Sequence, residues 1–178
     1  MPNYCGNDVT ITFNDQADYD KFITVMGIED STDPYMDSDS ENKGYGFFDR
    51  LVPTPKNLID DGGWYEWRVE HWGTKWNPGI HHFNTDDEGK CVELHMDTAW
   101  APPIAFFTTF TELFPSAEVQ LNYLEEGMNF CGRAYMSEGM CSDRYMNDIP
   151  STMYAAAGAT LDADGDVDWE VDQDYDLS

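Results

Sequence analysis

The sequence predicts an α+β fold in which helices cover one face of an antiparallel sheet and an acidic, strand-like extension follows at the C-terminal end. Two segments, NDVTITF and KCVELHM, alternate apolar and polar residues, which is the period of a strand. Other segments place apolar residues three and four positions apart, which is the period of a helix. The closing LDADGDVDWEVDQDYDLS carries a carboxylate on every second residue, which is the strand period again.

The first strand and the first helix are predicted from NDVTITF and QADYDKFITVMG. The strand places Val9, Ile11 and Phe13 on one side. Asp15 stands where a side chain caps a helix, and Gly27 stands where a helix ends. The apolar face of this helix carries Tyr19, Phe22, Ile23 and Met26.

A helical insert is predicted to follow the first helix. The segment EDSTDPYMDSDSENKGYG, which makes up most of the loop 29–49, is polar and rich in Gly and Asp, as is typical of an exposed loop. Pro53 and Pro55 indicate a further connection in LVPTPKNLIDDGG, and WYEWRVEHW is predicted to form a short helix that ends in the turn GTKWNPG.

The remaining elements complete the order β-α, helical insert, β-α-β-β. KCVELHM is predicted to be a strand, and Pro102 and Pro103 suit the first turn of the helix IAFFTTFTELFP. AEVQLNYLEEG and MNFCGRAYM are predicted to be antiparallel neighbours joined by a turn at Gly127. We divide the chain into an α+β domain at 1–150 and an acidic extension at 151–178, which we expect to dock as an edge strand.

The charge limits the partners that this protein can bind. Thirty-five acidic against nine basic residues give a net charge of −26 and a pI near 4.1. Such a charge disfavours direct binding to nucleic acid or to an anionic membrane, because that binding requires Lys and Arg. It favours cations, basic peptides and proteins with basic surfaces. The acidic composition of proteins from salt-loving organisms is an alternative origin of the same charge.

The sequence is also typical of a cytoplasmic protein. Its first residues, MPNYCGNDVTITF, have no basic and apolar leader pattern, and no apolar run is long enough to span a membrane. The four cysteines include no CxxC pair and are too few for a disulfide scaffold, so we expect reduced thiols.

Several phrases together resemble one known family. MPNYCGN, WYEWRVEHWGTKWN, TAWAPP and YLEEGMNFCGR are similar to the YubB ferredoxin-like domain family of phages and conjugative plasmids, over roughly residues 1–140. This resemblance implies a ferredoxin-like fold and an origin in a mobile element. It implies no activity and no catalytic residues, and it leaves out residues 29–49 and 151–178.

Cysteine and histidine residues give no pattern of a catalytic or metal site. Cys5 and Cys131 have no histidine close in sequence, and we expect them to be small buried apolar residues. Cys91 and His95 share a face of a strand but lie about 13 Å apart, which is too far for one metal. No catalytic motif is present, so we expect no catalytic residue, no cofactor, no metal and no enzymatic activity.

The aromatic residues of the middle segment have two interpretations. They could form a platform on which bases stack, but such platforms lie in positively charged grooves. Only Arg68 and Lys75 supply positive charge here, so we favour a role in the core. The residues concerned are Trp64, Tyr65, Trp67, Trp72, Trp76 and Trp100.

The acidic extension is the predicted partner-binding site. It does not match a calcium-binding EF-hand loop, because Gly165 is at position 4 and Gln173 at position 12. As a strand, it places neighbouring carboxylates roughly 7 Å apart, so each pair repels by about 0.6 kcal/mol in water. Burial of the apolar residues between them offsets this repulsion at up to roughly 1.5–3 kcal/mol each. The predicted contacts are Asp162, Asp164, Asp166, Asp168, Glu170, Asp172, Asp174 and Asp176.

These observations predict an acidic phage or plasmid protein that mimics nucleic acid. It would block the nucleic-acid-binding surface of a host defence protein, such as a restriction, CRISPR or other nuclease system, in the host cell cytoplasm. The expected partner is a nucleic-acid-binding protein or nuclease with a basic groove, and a homodimer is one way to add a second row of charge. The alternatives are a small-molecule or nucleotide-binding protein that uses the Trp-rich region, and an inert accessory protein.

Overall fold

The structure, a computed structural model, describes residues 3–26, 46–149, 160–161 and 167–168. The elements run in chain order as β1 (Tyr4–Phe13), α1 (Gln16–Met26), α2 (Phe47–Leu51), α3 (Lys56–Asp61), α4 (Trp64–Trp72), β2 (Gly79–Asp86), β3 (Cys91–Ala99), α5 (Ile104–Leu113), β4 (Ala117–Glu125), β5 (Phe130–Ser137), β6 (Met140–Met146), β7 (Thr160–Leu161) and β8 (Val167–Asp168).

Six strands form one antiparallel sheet in the order β2-β3-β1-β4-β5-β6. The elements β1, α1, β2, β3, α5 and β4 follow the β-α-β-β-α-β order of a ferredoxin-like unit. In this unit β1 lies between β3 and β4, and the helices α2 to α4 are inserted between α1 and β2. The predicted α+β fold is therefore confirmed, with β5 and β6 added beyond β4.

One face of the sheet holds the core and the other is exposed. Alternate residues of β1 point to opposite faces, so that Val9 and Ile11 are buried while Thr10 and Thr12 are exposed. The buried side is packed with aromatic rings from β1, α1 and α5. Contacting rings lie with their centroids about 5–6 Å apart, and they are Phe13, Phe22, Phe110 and Phe114.

The predicted start of the first helix agrees with the structure. The Oδ1 atom of Asp15 accepts a hydrogen bond from the backbone N–H of Ala17 at 2.7 Å, so Asp15 caps α1 as expected. Gly27, the predicted end, lies outside the described residues.

The insert contains more helix than the sequence indicated. Residues 47–49 of the predicted loop 29–49 form the first part of α2 (Phe47–Leu51), and residues 56–61 of the predicted connection form α3. Both predictions were wrong because helices of five and six residues are too short to show an apolar period. A distant residue helps to fix α2, since Oδ1 of Asn77 accepts hydrogen bonds from the backbone N–H groups of Phe48 and Asp49 at 2.9 and 3.2 Å. Residues 29–45 of the same loop lie outside the described residues.

Two strands of the sheet were missed. In β2 the alternation is interrupted by an irregularity between Ile80 and His82. In β6 all seven residues are exposed, so no apolar alternation is present to be read. Both lie at the edges of the six-stranded sheet, where a strand can form without burying one face. The predicted four-strand order is corrected to six.

Candidate functional site

The eight carboxylates predicted to contact a partner fall almost entirely outside the described residues. Asp168 lies in β8, which pairs antiparallel with β7 so that Thr160 is opposite Asp168 and Leu161 is opposite Val167. The division of the chain at residue 150 and the docking of the extension as an edge strand stay predictions.

The acidity of the molecule is not confined to the C-terminal extension. The described ranges 3–26 and 46–149 contain twenty-one acidic and eight basic residues, which gives these ranges a net charge of −13. The location of a surface that attracts cationic partners therefore depends on how the sheet and the helices group these carboxylates.

Carboxylates gather at one end of the sheet, where α1 begins and the β2–β3 turn meets the start of β4. Thr12 of β1 lies opposite Cys91 of β3 and opposite Glu118 of β4. Asp86, the last residue of β2, also pairs with Cys91, so the β2–β3 turn lies at the same end. We call the following set the acidic end: Asp15, Asp18, Asp20, Asp86, Asp87, Glu88 and Glu118.

Neutral groups hold these carboxylates in place. The Oδ2 atom of Asp18 accepts a hydrogen bond from the backbone N–H of Ser116 at 3.0 Å. The buried hydroxyl of Tyr19 donates to Asp87 and ties α1 to the turn. Burial and the hydrogen bond to Asp87 raise the pKa of Tyr19, so this hydroxyl stays protonated and remains a donor.

No lysine or arginine lies within 4.0 Å of an acidic-end carboxylate in the described ranges. The basic–acidic side-chain contacts within 4.0 Å in the described ranges are Arg68–Asp49, His81–Asp97 and His95–Asp8, none of which involves the acidic end. Lys21 is close in sequence, but its Nζ donates to the carbonyl of Leu113 at 3.1 Å. The acidic end therefore presents charge that a cationic partner can neutralise.

The face of the sheet without helices is polar and carries charges of both signs. We call it the open face, and its members include Asp8, Thr10, Asn84, Glu93, His95, Gln120, Asn122, Arg133, Tyr135, Ser142 and Arg144. Two half-exposed imidazoles lie on it with ring centroids 5.9 Å apart: His95 bonds Asp8, and His81 bonds Asp97 at 2.8 Å. Among the described residues, no three His, Cys, Asp or Glu side chains are grouped so as to hold a metal ion.

The Trp-rich region is organised around a buried arginine. Arg68 lies over the rings of Trp64 and Trp72, its Nε donates to Thr54 at 2.9 Å, and its guanidinium is 3.6 Å from Asp49. Burial lowers the pKa of Arg68, and the nearby Asp49 carboxylate opposes that shift. Arg68 thus stabilises the insert.

The predicted core role of the aromatic residues holds for only part of the set. Trp72 is fully buried, whereas Trp67 is half-buried and stacks on His71 with centroids 4.1 Å apart. Tyr65 and Trp100 keep 46% and 44% of their surface exposed, so the prediction that they lie in the core was wrong. The α4 helix packs its Trp72 face inward and leaves Tyr65 outside.

Cys5 and Cys131 are completely buried, as predicted. Burial, followed by the charge of Glu125, raises the pKa of Cys5 to about 12. Burial also raises the pKa of Cys131. Neither thiol forms a thiolate near neutral pH, which disfavours a nucleophilic role.

The comparisons with known proteins identify a family. A model of the ferredoxin-like domain in Api92-like protein matches residues 71–162, which is just over half of the chain. The chain belongs to this family. A crystal structure of Api92 from Yersinia pseudotuberculosis is similar at a TM-score of 0.47 and 9% sequence identity, covering 84% of this chain and 100% of that one. A search of curated proteins gives no match.

The family confirms the ferredoxin-like fold that the sequence resemblance implied, under the Api92-like name and not under the name YubB. It indicates no enzymatic class. No helix in the described part of the chain has the length and apolar character needed to cross a membrane.

Sequence reasoning missed the open-face arginines and most of the acidic end. Arg133 is on the polar side of the predicted strand MNFCGRAYM, but its neighbour Arg144 belongs to the unpredicted β6. Asp86 to Glu88 are consecutive acidic residues in the sequence, yet their nearness to α1 depends on the missed strand β2. The alternation of β5 was the one sequence signal that placed Arg133 on the polar face. The positions of Arg144 and of the acidic-end residues required the strand order.

Proposed function

We propose that this protein is an acidic decoy of phage or plasmid origin that occupies the nucleic-acid-binding surface of a host defence protein. The observation that carries the proposal is the acidic end, whose carboxylates have no Lys or Arg within 4.0 Å in the described ranges. The eight alternating carboxylates of the C-terminal extension add a second group of the same sign.

The spacing of these charges supports a composite surface. A DNA strand carries a phosphate about every 3.4 Å along the axis, whereas alternate residues of a β-strand lie roughly 6.8 Å apart. One row of carboxylates therefore has about half the axial charge density of one DNA strand. The acidic end, or a second protomer, supplies further carboxylates that raise this density.

A partner would recognise such a surface through Arg and Lys residues arranged to bind phosphates. Association is then fast and weakens as salt is added. The proposal includes the YubB affiliation, action in the host cytoplasm through protein–protein contact alone, and no enzymatic step. The nucleotide-binding alternative is weaker, because Arg68 is already engaged by Asp49 and Thr54.

The experiment is an affinity capture from host lysate at low and high salt, with three charge variants of the full chain. One variant neutralises the extension (D164N, D168N, D172N and D176N), and one neutralises the acidic end (D20N, D86N, E88Q and E118Q). A control removes the same number of charges elsewhere (E66Q, E70Q, E112Q and E138Q). The proposal predicts a nucleic-acid-binding protein that elutes with salt and that is lost in the first two variants but retained by the control. Equal capture by all three variants would refute it.

A further inference from the structure

Two arginines form a positive pair on the open face of this acidic protein. Arg133 of β5 and Arg144 of β6 are directly opposite each other in the strand register, and both are exposed. Directly opposite residues of an antiparallel pair lie about 4.5–5.5 Å apart between Cα atoms. Like charges at such positions destabilise the pairing.

The surroundings of this arginine pair do not neutralise it. Neither guanidinium lies within 4.0 Å of a carboxylate of the described residues. Asp143 precedes Arg144 in β6, but its side chain points to the other face of the sheet. There it accepts a hydrogen bond from the Tyr123 hydroxyl at 2.8 Å. Asp8, on the same row of the open face, bonds His95.

The pair is also positioned for an acceptor. Nε of Arg133 donates to Oδ1 of Asn122 at 2.7 Å, which orients the guanidinium. Tyr135 lies two residues along β5 on the same face, opposite Ser142 of β6. The two guanidinium groups lie side by side, and their N–H donors suit carboxylate oxygens, whereas the Tyr135 hydroxyl is already hydrogen-bonded to Glu118.

We propose that Arg133 and Arg144 dock the chain's own acidic C-terminal segment, residues 162–176, on the open face. Charge complementarity supports this occupant, because residues 151–178 contain eight acidic and no basic residues. The negative charge of the rest of the chain opposes every approaching anion, including this segment. The segment has the advantage that its tether gives it a high effective concentration at the two arginines, which a free anion lacks.

The length of the intervening chain permits this contact. The described body ends at Ile149, which is largely buried and whose N–H donates to Asn129 at 3.3 Å. Arg144 of β6 is five residues before Ile149, so the two lie at most roughly 17 Å apart along the chain. The thirteen residues from Ile149 to Asp162 span up to about 45 Å when extended, so every carboxylate of the segment can reach the arginine pair.

Docking of this kind goes beyond the proposed function, since it concerns the chain alone. Exposed ion pairs are individually weak, so two of them shift the docking equilibrium by about two- to thirtyfold. A partner with a basic groove would compete with Arg133 and Arg144 for the same carboxylates.

The test is paramagnetic relaxation of the backbone amides of residues 162–176 in the full chain, with a nitroxide on a cysteine introduced by S142C on the open face of β6. All samples also carry C91S and C141S, which remove the half-exposed and the exposed native thiols. The proposal predicts relaxation enhancement that falls at least about twofold in R133Q/R144Q, and likewise when salt rises from about 0.1 to 1 M. The control K56Q/K90Q loses the same two charges and keeps the enhancement.

A second variant protects the test against misfolding of the first. D164N/D168N/D172N/D176N leaves the body unchanged and should lose the enhancement to the same extent as R133Q/R144Q. Enhancement that persists in this variant, or that is equal in R133Q/R144Q and in K56Q/K90Q, overturns the proposal. Affinity capture of a basic partner is independent of this result, so the two proposals fail separately.

Discussion

The two faces of the sheet differ in where their side chains find partners. On the covered face, aromatic rings such as Phe13, Phe22 and Phe110 pack against one another and are completely buried or nearly so. On the open face, Arg133 and Arg144 lie side by side without a carboxylate of the described residues in contact. The side chains of the covered face thus contact one another, whereas the open face and the acidic end carry charge that the described fold does not neutralise.

This difference teaches which residues serve folding and which are available for binding. Buried aromatic residues contribute to stability through burial and packing. Exposed charges contribute little to stability, because water and salt screen them. Mutations on the two faces should therefore separate stability from binding.

The largest expected effect is in the core. Phe110→Ala should lower the free energy of unfolding by about 3–5 kcal/mol, since it removes a fully buried ring in contact with several others. Urea denaturation measures this change. Thr10→Ala on the open face is the matched control and should change stability by less than about 0.5 kcal/mol. Equal effects of the two substitutions would contradict the distinction between the faces.

The buried ion pair of the insert should come next. Asp49→Ala removes the carboxylate beside Arg68, which is 94% buried, along with acceptors for Thr54 and Asn77. Leaving a buried guanidinium unpaired should cost about 3 kcal/mol, and thermal and urea unfolding will measure it. If Asp49→Ala lowers the free energy of unfolding no more than Asp20→Ala, a substitution of an exposed residue of α1, the insert does not depend on this contact.

The cap of α1 should give an intermediate loss. Asp15→Ala removes the acceptor for the N–H of Ala17 and should destabilise the protein by about 1 kcal/mol. Asp15→Asn keeps an acceptor and should retain most of that stability. Equal losses in the two variants would indicate that the charge of Asp15, and not its hydrogen bond, matters.

The smallest effect is expected from the open-face arginines. Arg144→Gln removes one member of a like-charge pair and should leave stability unchanged or raise it by a few tenths of a kcal/mol. Chemical denaturation at low salt is the measurement, because salt screens the repulsion. A loss above about 1 kcal/mol would show that Arg144 has a structural role within the folded body.

The sequence predicted the elements whose apolar residues recur at a regular period and missed those without such a period. β1, α1, β3, α5, β4 and β5 were predicted because their apolar residues recur at the period of a strand or a helix. β6 was missed because every residue in it is exposed, and α2 was missed because a distant side chain, Asn77, helps to hold it.

The candidate site was less predictable than the fold. The acidic end is formed by segments far apart in the chain, such as α1 and the β2–β3 turn, which one hydrogen bond from Tyr19 to Asp87 brings together. Total charge predicted that carboxylates would be abundant, but their grouping depends on strand order. The same holds for Arg133 and Arg144, which become neighbours only through the pairing of β5 with β6.

The most direct test of the decoy proposal is a competition measurement. The basic protein captured from lysate is bound to a fluorescent DNA duplex, and this chain is added while the anisotropy is followed. The proposal predicts that anisotropy falls to the value of free duplex, that the fall requires the carboxylates of the extension and the acidic end, and that it weakens as salt is added. Anisotropy that stays constant or rises, which indicates that the duplex and this chain bind together, would contradict the claim that the two occupy one surface.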